Sequence, residues 1–451
     1  MFDVFCISAG QLEIKKDDNI INKKNMYLNY GLLSLATILR TNNLNPIQIQ
    51  GHFTPPEDFF QYAVELGLAE SQYPIFISIP SFYAISWVNE FTKLIKSSNI
   101  NTEIIVGGRW VVDGEPELLK SLLPNIDHVV DGVGETKILS FIKNEIVELP
   151  QRTGPTLDYS LLDQRHLYQP SIEVSRGCGM SCSFCQERDE KLQPLKPITT
   201  LIEETKHTLL TDNLIKMTPY LEASMFVPSD KWLKQLVEAR ELHSMTFNWR
   251  TESRVDSIPI KHIPLLAKAG LKVIDLGLES ASFEQLRNMG KSMYPEKYLQ
   301  KASLLINTAY EYGIDVKINI LLYAGETHKT LTDTFNWLER HRSFIKGVSI
   351  GPVIAFGWKH KKKDFVNSME KLGASVANNN SVYGVTHINL SSQINNNDAL
   401  KLSKELSREF MTAKDYFDLK SFSYFPRNYE YKDFLADIKR EQGAYSFSTC
   451  S

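Results

Sequence analysis

Residues 173–185 read Glu-Val-Ser-Arg-Gly-Cys-Gly-Met-Ser-Cys-Ser-Phe-Cys. Three of the chain's five cysteines, Cys178, Cys182 and Cys185, fall within eight residues in a Cys-x3-Cys-x2-Cys spacing. Three is odd, so they cannot form a closed set of disulfides. Thiolates are soft donors that suit zinc and iron–sulfur clusters. A structural zinc site wants four closed ligands. His166, His207 or Cys450 would have to supply the fourth, and none has a diagnostic spacing. The other metal option is a 4Fe–4S cluster held by three cysteines, with one iron left open for a substrate or cofactor. Gly177 and Gly179 relieve backbone crowding for a tight wrap, and Phe184 shields one side. Three separately buried cysteines are the bland alternative. The run 171–177 predicts a β-strand, so the loop follows a strand's C-terminal end, where parallel α/β folds gather chemistry.

The rest of the chain sets the frame. Its 451 residues suggest two or three domains. Hydrophobic residues make up 43% and charged residues 23%, the balance of a soluble globular protein. A formal net charge of -3 advertises neither a nucleic-acid nor an anionic-membrane surface. The basic run Lys359–Lys363 reads as a solvated loop or helix end. No stretch offers 18 uninterrupted apolar residues, so no transmembrane helix is expected. The start, MFDVFCISAG, reads as a first strand rather than a secretion signal. Few cysteines and no such signal point to a reducing cytoplasm.

Residues 1–150 alternate strand and helix patterns, predicting a doubly wound α/β domain. Strands are expected at 2–8, 47–50, 75–81 and 102–109, and a further one closes in the glycine-rich turn of 127–136. Gly107 and Gly108 end the fourth of them, where a ligand can approach the backbone closely. Residues 151–167 read as a linker. A second alternation follows, with strands at 171–177, 219–226, 246–253, 272–280, 315–324 and 347–356. Six consecutive βα units predict an open or partial barrel over 151–357. Residues 358–451 lose this regularity and read as a small, mainly helical cap or extension that closes the barrel. Helical patterns appear there near 364–372, 397–416 and 430–441. Their aromatic residues line a groove or form ordinary core, and the tail reads as mobile.

The segment SRGCGMSCSFCQ resembles the cluster motif of the radical SAM superfamily. The likeness extends to residues 249–291, including the strand end Gly277-Leu278-Glu279-Ser280, and to 313–338. Residues 29–44, 100–109 and 126–142 resemble the cobalamin-binding-like domain that precedes the barrel in one branch of that superfamily. The resemblance implies a Rossmann-like first domain, a partial (β/α)6 barrel, a 4Fe–4S cluster on Cys178, Cys182 and Cys185, and S-adenosylmethionine bound at the open iron. One electron from the reduced cluster then cleaves the sulfonium, giving methionine and a 5′-deoxyadenosyl radical. That radical takes hydrogen from an unactivated C–H bond. An electron donor such as flavodoxin or ferredoxin is implied, with a small-molecule or peptide substrate.

Supporting residues follow from barrel position. Glu279 and Ser280 match the family's strand-end motif, and a carboxylate there can pair with the ammonium of S-adenosylmethionine. Arg254 is a candidate for the cofactor carboxylate, bound bidentately. Glu222, at the end of the second barrel strand, is an alternative ammonium partner. Leu322–Thr327 stands where many relatives read Gly-Leu-Pro-Gly-Glu-Thr, so the first glycine and the proline are lost.

Cobalamin stays open. The chain lacks the Asp-x-His-x-x-Gly motif whose histidine ligates cobalt, and His52 sits one strand too early. Trp110, after Gly107-Gly108-Arg109, either obstructs the slot for the nucleotide tail or serves as a core or interface tryptophan. Three readings result. The first is cobalamin-dependent C-methylation. The second is a cobalamin-free epimerase, cyclase or rearrangement enzyme with a vestigial first domain, for which Cys450 is a candidate hydrogen donor. The third is a zinc-stabilised binding protein. A methylthiotransferase is disfavoured, because it needs a second three-cysteine cluster and the first domain holds only Cys6.

Overall fold

The computed structural model describes residues 2–12, 20–143, 156–210, 218–378 and 382–440. The first sheet has five parallel strands: β1 (Val4–Ser8), β2 (Pro46–Gln50), β3 (Ile75–Ser78), β4 (Ile104–Gly107) and β5 (His128–Val130). Their order is β2-β1-β3-β4-β5. All five residues of β1 are buried. Val4 and Cys6 pack with Leu32 and Leu33 of the helix Tyr30–Thr41, while Phe5 and Ile7 pack with Trp87 and Val88 of the helix Ile85–Ser97. A parallel strand covered on both faces reads as one continuous apolar run, which is how VFCIS reads. Burial pushes the Cys6 thiol up to about 12, so it is a small core hydrophobe. The strand order reverses between β1 and β3, so a crevice opens at their C-terminal ends.

The second sheet runs in chain order: β6 (Ser171–Glu173), β7 (Tyr220–Glu222), β8 (Trp249–Arg254), β9 (Leu271–Glu279), β10 (Asp315–Leu322) and β11 (Gly347–Pro352). Every neighbouring pair is parallel. Amphipathic helices cover it. In Pro295–Glu311, Tyr298, Ala302, Leu305, Ile306 and Ala309 form the buried stripe, at helical spacing. Ser229 caps Asp230–Leu242 through Trp232 N, and Thr327 with Thr330 builds a capping box before His328–Arg340. The result is the partial barrel expected from the six βα units.

Three expectations are corrected. The predicted strand 347–356 divides at Val353. Pro352 has no N–H to offer a ladder, and β12 (Ile354–Phe356) turns away into a separate antiparallel sheet with β13 (Ser375–Val376) and β14 (Val385–Asn389). The region after 358 therefore holds strands as well as helices. The predicted strand 219–226 keeps three residues, because Phe226 N bonds instead to Glu252 O at 3.1 Å. The helical pattern 397–416 becomes two helices, Asn396–Glu409 and Ala413–Ser421, since Thr412 and Asp415 form a capping box that starts the second.

Ala413–Ser421 lies under the barrel. Arg250 Nη1 donates to Leu419 O at 2.6 Å, and Leu419 and Met411 pack on Val273. A Cβ on Gly347 would sit 2.7 Å from Leu419 Cδ1. These contacts fall near the strands' N-terminal ends, so the extension closes that end of the barrel. The C-terminal aromatics pack largely on one another: Phe425 and Phe434 are buried with Ile21, flanked by Tyr416, Phe417, Tyr429 and Tyr431. They form core, while Tyr416 and Tyr424 also line the central cavity. Among the described residues no helix is long and apolar enough to cross a membrane. Cys450, its tail and residues 151–155 of the linker lie outside the described residues.

Candidate active site

The cysteine loop leaves β6 and folds back on itself. Cys178 N and Gly179 N both donate to Glu190 O, at 3.2 and 2.8 Å. Ser175 Oγ donates to Gln193 O at 2.7 Å, and Gln193 N to Arg176 O at 2.9 Å. Closing the loop this tightly needs Gly177. Its φ is +71°, and a Cβ there would lie 2.3 Å from Lys191 O. Ser183 N donates to Met289 O at 2.9 Å, so the turn after residues 283–288 braces the far side. Cys182 is buried; Cys178 and Cys185 are half-buried. An N–H group is aimed at each sulfur: Arg254 Nη1 at Cys182 Sγ, 3.2 Å, Glu187 N at Cys185 Sγ, 3.4 Å, and Met180 N at Cys178. Burial raises the Cys178 and Cys185 thiols, and the backbone N–H at each works against that shift. Three soft donors on one closed loop fit an iron–sulfur cluster. Among the described residues, no three or more His, Cys, Asp or Glu side chains are arranged to hold a single metal ion.

The structure sorts the other candidates. Glu279 ends β9 with φ at +66°, a left-handed backbone that a non-glycine residue adopts only under constraint. Lys291 Nζ holds its carboxylate at 3.0 Å, and Glu279 lines the central cavity. Ser280 is buried; its Oγ meets Thr334 Oγ1 at 3.1 Å and accepts from Ser282 N at 3.1 Å. It serves the turn, and the residues described as lining the cavity do not include it. Phe184 packs edge-on to Tyr323, with ring centroids 6.4 Å apart, and Lys291 Nζ stands 5.9 Å from its ring. Arg254 is spent on Cys182, on Asp256 at 3.0 Å and on Lys291 O at 2.8 Å.

A cavity of about 2070 Å³ joins the two sheets. A pocket for one small molecule is typically about 300–1,000 Å³, so this one has room for more than one ligand. Gly107, Gly108, Trp110 and Gly134 line one end. Glu222, Glu252, Glu279 and Lys317 line the barrel end.

Sequence reasoning missed a charged layer inside the barrel. Register places Glu173 beside Glu222, Glu252 beside Asp275 and Asp275 beside Lys317. Tyr220 faces Arg250 one step below. Asp275 takes both Arg250, through Nε at 2.5 Å and Nη2 at 2.8 Å, and Lys317 at 2.9 Å. Those cations hold its carboxyl far below the usual range despite burial. Arg250 acts on Glu222 and Glu252 too, and Lys317 on Glu252, but burial outweighs them at both carboxylates. Burial pushes Glu222 up to about 7, helped by the Glu173 carboxylate, and pushes Glu252 up to about 8, helped by Glu222. The signal was present as period-2 polarity along Arg250, Glu252 and Arg254.

Residues 172–338 match the profile described as "Radical SAM: Radical SAM superfamily". The barrel is a radical SAM domain. Enzymes of that superfamily use a 4Fe–4S cluster and S-adenosylmethionine. An uncharacterized methyltransferase of Pyrococcus horikoshii is 23% identical over 282 residues, 55% of this chain and 60% of that protein. The chain thus matches only part of that relative's length. Two solved structures share the fold. The radical S-adenosylmethionine methyltransferase TsrM from Kitasatospora setae, bound to tryptophan and a SAM analog, aligns with a TM-score of 0.61 at 14% identity, covering 85% of this chain and 80% of TsrM. The cobalamin-dependent radical enzyme OxsB, bound to aqua-cobalamin and S-adenosylmethionine, aligns with a TM-score of 0.59 at 16% identity, covering 82% and 56%.

The radical SAM domain faces the strand ends of the first sheet, which has the fold of a cobalamin-binding-like domain. Gly108 has φ at +153°, and a Cβ there would strike Ile79 O at 2.4 Å, so two strand ends approach closely. Trp110 is half-buried on the cavity wall, with the Arg109 guanidinium 4.4 Å from its ring. It is thus not a core residue. His52 also lines the cavity, but its Nε2 meets Tyr168 Oη at 2.7 Å, and burial lowers its pKa to about 4. That bond occupies Nε2. The open strand ends and the volume fit a corrinoid; His52 and His387 are the histidines described on the wall.

Proposed function

We propose that this protein holds a 4Fe–4S cluster on Cys178, Cys182 and Cys185, cleaves S-adenosylmethionine reductively, and methylates a carbon of a small-molecule or peptide substrate with the help of cobalamin. The observation that carries this reading is the single cavity lined both by strand ends of the first sheet and by the barrel lumen. Reductive cleavage of the sulfonium and methyl transfer are the chemistry the two cofactors supply when bound. The chain's own part is placement and exclusion of water. Gly177 and the Glu190 carbonyl close the cysteine loop. Lys291 orients Glu279 at the cavity edge, where its carboxylate is placed to accept from an ammonium. Gly107 and Gly108 leave the opposite wall low. The lumen below, with Glu222 and Glu252, receives the substrate.

Anaerobic reconstitution with S-adenosylmethionine and dithionite tests this directly. The expected result is 5′-deoxyadenosine, which disappears when all three cysteines are changed to alanine, together with corrinoid retained after cobalamin-supplemented expression. Iron-loaded protein that makes no 5′-deoxyadenosine overturns the reading.

The missing Asp-x-His-x-x-Gly motif and the placement of Trp110 on the cavity wall support a second reading, a cobalamin-free enzyme that uses the same radical for epimerisation, cyclisation or rearrangement. Deoxyadenosine formation without corrinoid binding selects it.

A further inference from the structure

Arg254 was expected to grip the carboxylate of S-adenosylmethionine. Its surroundings assign it other work. A guanidinium offers five N–H groups. Nε donates to Asp256 Oδ1 at 3.0 Å; Nη2 donates to Lys291 O at 2.8 Å and to Asp256 Oδ2 at 3.4 Å; Nη1 donates to Cys182 Sγ at 3.2 Å. One Nη1 hydrogen is left, too few for a bidentate carboxylate. Arg254 is 8% exposed, and the residues described as lining the cavity do not include it. Tyr298, itself buried, stands 5.8 Å from the guanidinium carbon, so the fork is packed as well as bonded.

We propose that Arg254 is a positioning residue that poises the cluster for reduction, through a fixed charged hydrogen bond to the Cys182 sulfur. This rests on the cluster reading above. The physics is local. Adding an electron to a thiolate-held cluster increases its negative charge. An N–H from a permanent cation, held in a buried site of low dielectric, stabilises that extra charge. Arginine suits the task because it stays charged and its fork is rigid. Asp256 and the Lys291 carbonyl keep the fork aimed, so the bond survives whether or not S-adenosylmethionine is present.

The test is a redox titration of the reconstituted cluster followed by EPR, on the full chain without S-adenosylmethionine. Wild type is compared with Arg254→Gln and Arg254→Lys, each with its iron and sulfide content measured. The expected result is an unchanged iron content, a midpoint displaced to more negative potential in Arg254→Gln, a smaller displacement in Arg254→Lys, and S-adenosylmethionine affinity within about threefold of wild type. An unmoved midpoint overturns the proposal. So does a loss of S-adenosylmethionine affinity of tenfold or more without a midpoint change, which would restore the carboxylate-ligand role. If neither variant keeps its iron, Arg254 is only a brace for the loop, and the proposal is again overturned. A wild-type chain that takes up no iron is a separate result, and it removes the cluster reading itself.

Discussion

Arg176 Nη2 lies 2.9 Å from Glu135 Oε1, joining the strand end that launches the cysteine loop to the last turn of the first sheet. Arg176 also holds Glu173 at 2.7 Å. A second cross-sheet pair stands nearby, Arg109 with Glu187 at 3.7 Å and with Glu190. Both arginines thus tie the cysteine loop or its launch point to the face where a corrinoid would rest. Arg109 and Glu190 are nearly half exposed, so that pair contributes little stability. Glu135 is buried and Arg176 is mostly covered, so their pair is the stronger clasp.

A double-mutant cycle measures this clasp. Arg176→Ala leaves the Glu135 carboxylate buried without its cation, and Glu135→Gln leaves Arg176 with Glu173 alone. We expect each single change to lower stability by about 1–3 kcal/mol and a coupling energy of about 1 kcal/mol between them. Chemical denaturation of the four proteins checks it. Strictly additive losses would show that the two side chains do not interact in solution.

Gly177→Ala targets the wrap of the loop. The new methyl meets the Lys191 carbonyl on a backbone that already has φ at +71°. Relief requires opening the loop that carries the thiols. The expected outcome is destabilisation of about 1–3 kcal/mol and a clear fall in iron bound per chain after reconstitution. Normal iron content in this variant would mean that the loop tolerates a different closure.

The pH dependence of stability follows from Glu252. Its folded-state pKa is raised from 4.5 to about 8, chiefly by burial and then by Glu222. A raised carboxyl favours folding while it is protonated. That contribution is complete below about pH 4.5 and is lost as pH climbs through about 8. Glu252→Gln cannot ionise, so it escapes the loss. The variant is expected to match wild type near pH 5 and to be more stable at pH 9, by something on the order of 2 kcal/mol. Thermal melts at the two pH values decide it. An equal difference at both would show that Glu252 titrates normally.

Much of this was open to reading because it is local. The cysteine spacing, the glycines around it and the apolar run before it all lie within fifteen residues, and the structure keeps them together. Strand existence followed from β-rich apolar runs, as at Val4–Ser8. What escaped depends on register between distant strands. Glu222, Glu252, Asp275 and Lys317 are separated by 23–42 residues in the chain, and only the alignment of β7 to β10 brings them into one lumen. The partners of Arg254 escaped for the same reason. Its position at a strand end was legible, but its partners Cys182 and Lys291 come from two other loops. The break at Val353 was a local signal that was underweighted, since Pro352 marks it.

Asp275 gives the last prediction. It is the single carboxylate shared by Arg250 and Lys317 in the barrel floor, and both Arg250 and Asp275 are almost fully buried. Removing the shared charge strands a guanidinium that is also pinned to Leu419 O. Breaking one side of such a buried pair typically costs about 3–5 kcal/mol, whereas replacing the whole set by apolar residues of similar volume is often neutral. Asp275→Asn is therefore expected to be among the most destabilising single changes in the barrel. It should also loosen the helix Ala413–Ser421, whose carbonyl the misplaced arginine no longer holds. Hydrogen exchange in that helix and a denaturant melt report the two effects together. A variant as stable as wild type, with the helix still protected, would mean that Arg250 is neutralised by another group.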